Sequence, residues 1–265
     1  MRTIRQLLFL GTGHGMPVRS ACSSILLEDG KDNLLIDTSG GHEILQQFHK
    51  ANRKPQDVRN IFISHYDSDH ILGIVPLVRV FHHNPAPRTI YCSQEVKEAI
   101  DALFTRVAHR HFSPTQEHLT FVILKDRDQH EINGWKVTFF DIRSTRSPQM
   151  GFSLTFSEGE KLTFLGDEPL KDHLVDLVLG SDILIHEAFC LHKDEATLEA
   201  HKKNHGTVKE AALNATRVQA KTLVLFHMED KTLDTRKEAY TKEARNNFAG
   251  EVFVPVDLDF LEILY

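Results

Sequence analysis

The sequence predicts an α/β fold: a four-layer αββα sandwich of two sheets with helices on their outer faces, built as one domain over residues 1–265. Three observations predict it. Short apolar strands come in two batches, each followed by segments of helical periodicity. Hairpin-like strand pairs recur, which a simple doubly wound parallel sheet does not provide. No internal repeat, low-complexity tract or Pro/Gly-rich linker divides the chain, and 265 residues with 41% hydrophobic content are enough for a sizeable core.

The elements follow in order. Residues 4–10 read as a buried strand ending at Gly11-Thr12-Gly13-His14-Gly15. Residues 23–27 and 33–36 read as two strands joined by a turn at Asp29-Gly30. Asp37-Thr38-Ser39-Gly40-Gly41 opens a helix over 42–51, and 61–64 is a short apolar strand, with helical character over 71–81. A strand at 89–91 precedes a helix over 94–107. Residues 119–124, 135–143, 151–157 and 161–165 alternate like strands of a second sheet. A strand at 183–186, a helix over 207–219 and strands at 223–226, 252–254 and 260–264 complete the pattern. Thr207 and Glu210 have the spacing of a capping box at the start of that last helix.

Composition narrows the partners. The formal net charge is −6, with no basic surplus, so a nucleic-acid partner is not expected. Cys22, Cys92 and Cys190 are scattered and odd in number, which fits free buried thiols in a reducing compartment better than disulfides or a cysteine zinc site. Residues 1–10 lack the length of a signal-peptide core, and no stretch nears the roughly 18 apolar residues that span a membrane. A cytoplasmic protein without membrane attachment is expected. The 17 histidines decide nothing by number, so their positions must.

One segment carries most of the chemistry. His65-Tyr66-Asp67-Ser68-Asp69-His70 packs two imidazoles and two carboxylates into six residues directly after an apolar strand. Such groups are ligands for Zn²⁺, Mn²⁺ or Fe²⁺. Two carboxylates placed close together repel, and a divalent cation removes that repulsion.

Residues 64–73 resemble the metal-binding signature of the metallo-β-lactamase superfamily, His-x-His-x-Asp-His followed by glycine, with Asp67 standing where the second histidine is usual. The rest of the order matches too: Gly11-Thr12-Gly13 near the start, Asp37 after an early strand, Asp167 in Phe164-Leu165-Gly166-Asp167, and His227 after Leu225-Phe226. The resemblance covers nearly the whole chain. It implies His65, Asp67, Asp69, His70, Asp167 and His227 as ligands of one or two divalent ions. One ion would take His65, Asp67, Asp167 and water; the other Asp69, His70, Asp167 and His227. The family's further ligand histidine is missing from Asp141-Ile142-Arg143-Ser144-Thr145-Arg146. The first position is therefore richer in oxygen, which favours Mn²⁺ or Fe²⁺ over Zn²⁺ there or leaves it weakly bound.

Ile185-His186-Glu187-Ala188 and His205-Gly206-Thr207 look like the paired loops of the tRNase Z-like branch. By that resemblance His205 donates a proton to the leaving group, with Glu187 as its partner, and Asp69 orients or deprotonates the water that the metal activates. The branch also implies a homodimer. The long arm that tRNA-processing members carry has no room between Thr145 and Asp167. The expected function is thus hydrolysis of a small phosphodiester, such as a cyclic nucleotide or a cyclic ribosyl phosphate. A lactone or thioester hydrolase, or a non-enzymatic metal- or metabolite-binding member, are the alternatives. Arg143 and Arg146 read either as phosphate contacts or as ordinary salt-bridged residues. His14 reads as a substrate contact or a surface residue, and His82, His83, His109 and His111 as surface residues or a rim.

Overall fold

The computed structural model describes residues 5–263 and divides into two compact units. The first comprises residues 5–124 with 257–263; the second comprises 125–256.

The first unit holds strands β1 (Arg5–Gly11), β2 (Ser24–Asp29), β3 (Asp32–Ile36), β4 (Asn60–Phe62), β5 (Arg88–Cys92) and β6 (Leu119–Ile123). They form one sheet in sequence order, and the last strand of the chain, Phe260–Ile263, adds to the outer edge of β1. Ile4 and Leu264, expected in strands, lie outside the described residues. β1 to β3 run antiparallel and β3 to β6 run parallel. Helices α1 (Glu43–Lys50), α2 (Ser68–Ile71), α3 (Ile74–His83), α4 (Gln94–Leu103) and α5 (His109–Thr115) belong to this unit. Ile44, Phe48, Leu77, Phe81 and Ile100 from the helices pack with Leu35, Ile61 and Ile90 from the strands in one buried cluster. Removing such a side chain costs about 2–5 kcal/mol.

The second unit holds β7 (Gln129–Ile132), β8 (Trp135–Asp141), β9 (Met150–Thr155), β10 (Lys161–Phe164), β11 (Ile183–Glu187), β12 (Thr222–Phe226) and β13 (Glu251–Phe253), again in sequence order. β7 to β10 form an antiparallel meander, and β10 to β13 are parallel. Between the parallel strands run α6 (Val175–Val178), α7 (Glu195–Leu198), α8 (Val208–Arg217) and α9 (Arg236–Arg245). Ala211, Ala212 and Ala215 of α8 and Tyr240 and Ala244 of α9 pack on Leu184, Leu223 and Leu225.

Three expectations are corrected. Residues 119–124 belong to the first sheet, because β6 pairs parallel with β5 and extends the crossover pattern. The helix over 71–81 is broken at Leu72-Gly73 into α2 and α3. A Cβ on Gly73 would sit 1.6 Å from the Thr38 carbonyl oxygen, so the break lets two backbone segments touch. The helix over 94–107 ends as an α-helix at Leu103 and continues as a π turn over Phe104–Ala108. The three cysteines are free and buried, as expected.

Candidate metal centre

In the first unit the chain leaves β4 and enters α2 through the six-residue motif. Asp37, just past β3, lies beneath it with φ +56°, a conformation that non-glycine residues adopt only when neighbours hold it. The neighbours are evident. Asp37 Oδ1 accepts from Ser64 N at 2.7 Å, and Oδ2 accepts from Ser64 Oγ at 2.8 Å. Asp37 Oδ2 also lies 2.8 Å from His70 Nδ1. Ser64 Oγ, its proton given to Asp37, accepts from His65 Nδ1 at 2.9 Å. One carboxylate therefore orients both imidazoles, His70 directly and His65 through Ser64. In metal sites a partner of this kind on Nδ1 fixes the ring so that Nε2 can bind the ion.

The four motif residues sit together. The His65 and His70 rings lie 4.1 Å apart between centroids, both buried. Asp69 Oδ2 is 3.1 Å from His70 Nε2, and Asp67 Oδ2 is 3.7 Å from His65 Nε2. Asp67 is the N-cap of α2 but makes no capping bond with its side chain, which stays 49% exposed. Gly15 approaches closely: a Cβ there would stand 3.5 Å from both Asp69 carboxylate oxygens.

The other expected residues lie in the second unit. Asp167 follows β10 after Gly166, whose φ of +74° turns the chain. Gln149 holds Asp167 twice, donating from Nε2 to Asp167 Oδ1 and accepting the Asp167 N–H at 3.3 Å. His227, directly after β12, has φ +55° and places Nε2 3.7 Å from Asp167 Oδ2. His205 stacks on Phe189 at 5.0 Å and lies 5.0 Å from the His227 ring. Donor atoms of Glu187, His205 and His227 all lie within 4.8 Å of one another.

Glu187 is wholly buried at the end of β11. Its Oε1 accepts from Gly206 N, and its Oε2 accepts from Phe189 N at 3.2 Å. Its Oε2 is 3.9 Å from His205 Nδ1, which instead meets the Asp167 carbonyl oxygen at 3.0 Å. Glu187 thus fastens the 205–207 loop mainly through the Gly206 amide. Burial pushes its carboxyl well above the usual range, against the Gly206 amide bond that favours its charge. The Thr207–Glu210 capping box closes the same loop onto α8 and contributes about 1 kcal/mol.

The stretch lacking the family histidine is occupied by a polar knot. Ser144 Oγ donates to Glu168 Oε1 at 2.6 Å, Asn204 Nδ2 to Thr145 Oγ1 at 2.9 Å, and Arg146 to the Lys203 carbonyl oxygen at 2.7 Å. Arg143 is exposed and 3.9 Å from Asp126 Oδ2. Gln149 and Ser64 were missed in the sequence; a glutamine two residues before Gly151 and a serine before the motif carry no spacing signal.

The donor chemistry fits a divalent transition ion in each set. Burial opposes a charge on His70, but Asp69 and Asp37 outweigh it and hold its pKa well above the usual imidazole value. A cation at Nε2 would relieve the carboxylate that the proton relieves in the free protein. The oxygen-rich partners of His65 suit Mn²⁺ or Fe²⁺ as well as Zn²⁺.

Comparison with known proteins follows the same lines. The family model described as "Anti-Pycsar protein Apyc1" matches residues 5–250. Ribonuclease Z of Bacillus cereus (strain G9842) is 28% identical over 297 aligned positions, covering 92% of this chain and 95% of that protein. The metallo-β-lactamase fold protein YhfI from Bacillus subtilis superposes with a TM-score of 0.80 at 20% identity, covering 98% of this chain and all of that one. The short form of human tRNase Z gives 0.77 at 24%, with 98% and 100% covered. The two solved structures share the metallo-β-lactamase fold with this chain. The chain belongs to the family of the anti-Pycsar protein Apyc1 and is a metal-dependent hydrolase.

Proposed function

We propose that this hydrolase is a phosphodiesterase for a small phosphodiester, of the cyclic nucleotide or cyclic ribosyl phosphate type. In this reading His65, Asp67, Asp69, His70, Asp167 and His227 hold one or two divalent ions, Zn²⁺, Mn²⁺ or Fe²⁺. When bound, such ions activate water and polarise the phosphoryl group. Asp69 accepts the water's proton. Gln149 fixes the free rotation of the Asp167 carboxylate. His205, its Nδ1 held by the Asp167 carbonyl oxygen, presents Nε2 for proton exchange with the departing oxygen. Burial and the neighbouring His227 push His205 down to about 4, and the negative charge of a phosphodiester favours its protonated form. Glu187 positions that imidazole by fastening the Gly206 amide.

The observation that carries the small-substrate reading is the join between β9 and β10. Phe156 N donates to the Glu160 carbonyl oxygen at 2.9 Å, and Gly159 N to the Phe156 carbonyl oxygen at 3.0 Å. This is a tight turn where a tRNA-processing enzyme needs a protruding arm. The net charge of −6 argues the same way, because RNA binding draws on Lys and Arg contacts. The test is purified protein loaded with each ion in turn and offered cyclic nucleotides, a precursor tRNA, a lactone and a thioester. Cleavage of the cyclic phosphodiester with the tRNA untouched is expected. Faster turnover of the tRNA, lactone or thioester overturns the proposal.

A further inference from the structure

Three imidazoles meet in the first unit, outside the motif. His82 and His83 close the C-terminal end of α3, and His111 lies in α5. The ring centroids are 5.0 Å apart for His82 and His83, 5.6 Å for His82 and His111, and 6.5 Å for His83 and His111. The rings are inclined at 63°, 62° and 55°, so they are not stacked on one another. His111 Nδ1 is buried with no hydrogen-bond partner.

From this cluster we infer a second metal site, formed by His82, His83 and His111, that takes a borderline transition ion, Zn²⁺, Ni²⁺ or Cu²⁺. The spacing is the first argument. With metal–nitrogen bonds of about 2.0 Å and each ring centroid about 1.1 Å beyond its nitrogen, two imidazoles on a tetrahedral ion lie roughly 5 Å apart. The observed triangle is at that size on its shortest side and about 1.5 Å wider on its longest, so binding requires the side chains to turn inward until one nitrogen of each reaches a common point. His83 is the last residue of α3, where the following Asn84 has left helical geometry (φ −136°, ψ 69°), so its side chain is the freest to move. The second argument is the orphaned His111 nitrogen. A buried acceptor without a partner loses about 1–3 kcal/mol of solvation, and an ion restores a bond to it. The third is selectivity. Arg79 and Arg110 lie near His111 and make the neighbourhood cationic. That charge repels every divalent cation alike, so an ion must be held by strong bonds to nitrogen, which three imidazoles offer to Zn²⁺, Ni²⁺ or Cu²⁺ and not to oxygen-seeking Mg²⁺ or Ca²⁺. Bound there, the ion would clip α3 to α5 across the π turn.

The site is separable from the motif centre by experiment. Metal-stripped protein is titrated with Zn²⁺ by equilibrium dialysis, as wild type and in an Asp69→Ala/His70→Ala background that disables the motif. His111→Ala is expected to lower the ion count by one in both backgrounds, with affinity at this site roughly 100-fold weaker. Phosphodiesterase activity should be unchanged. His82→Gln/His83→Gln, which keeps the helix end polar, should do the same, and in the Asp69→Ala/His70→Ala background Co²⁺ loading should give a tetrahedral visible spectrum that vanishes when either variant is added. Equal Zn²⁺ counts with and without His111, or binding only at millimolar ion, would show histidines acting singly and overturn the inference. Loss of hydrolysis on every substrate in wild type would sink the phosphodiesterase reading and leave this result untouched.

Discussion

Asp37 Oδ2 stands 2.8 Å from His70 Nδ1 and 2.8 Å from Ser64 Oγ, whose oxygen in turn takes the His65 proton. A single carboxylate outside the motif thus orients two imidazoles of the proposed metal site. Asp37→Ala should release both rings, and Ser64→Ala only His65. Partners behind metal-bound histidines typically contribute 10–100-fold in affinity, roughly, so Asp37→Ala is expected near the upper end and Ser64→Ala near the lower. Chelator-competition titration of each variant measures it; equal losses would mean that the Ser64 relay is idle.

Acid should destabilise the fold through His186. This ring is buried, with Nδ1 donating to the Glu187 carbonyl oxygen at 2.6 Å and Nε2 accepting from Leu170 N at 3.3 Å and Asn214 Nδ2 at 3.1 Å. A second proton would turn Nε2 into a donor facing two donors. Burial accordingly pushes His186 down to about 4 from the ordinary 6.5. The unfolded chain binds the proton more tightly, so stability is complete above pH 6.5, falls as pH drops from 6.5 to about 4, and is flat below that on this account. The loss amounts to about 3 kcal/mol. His186→Gln removes the titration, and urea melts at pH 7 and pH 4.5 should show a smaller difference for the variant than for wild type.

Gln149 grips both the side chain and the backbone of Asp167. Gln149→Leu keeps the volume, removes the grip and leaves the carboxylate to rotate. Activity should fall by about 10–100-fold while the melting temperature moves little. An unchanged rate with correct folding would show that the site orders Asp167 by other means.

The sequence made the motif residues readable because their chemistry is local: two imidazoles and two carboxylates in six residues need no tertiary information. The strands were legible for a similar reason, since β1 to β5 and β8 to β12 are apolar runs with turn residues between them. What escaped depends on distant contacts. Gln149 matters only because Gly166 turns Asp167 onto it, and Ser64 only because Asp37 lies under it. Residues 119–124 went to the wrong sheet because alternation fixes a strand's faces and not its neighbour. Helix α5 hid behind Pro114 near its end, and α9 behind a charged sequence with a weak apolar stripe.

Restoring the family residue at position 67 gives the sharpest test of the oxygen-rich site. Asp67 Oδ2 faces His65 Nε2 at 3.7 Å, and the side chain is half-exposed and free of capping duty. Asp67→His should therefore be tolerated by α2, whose start rests on the Asp67 carbonyl oxygen accepting from His70 N and Ile71 N. Replacing a carboxylate with an imidazole makes the donor set softer, which favours Zn²⁺ over Mn²⁺. The variant is expected to bind Zn²⁺ at least about tenfold more tightly relative to Mn²⁺ than wild type does, and to shift its best activating ion the same way. Parallel Zn²⁺ and Mn²⁺ titrations of both proteins measure the ratio. If it stays constant, Asp67 is not a ligand, and the ion beside His65 is held by other groups.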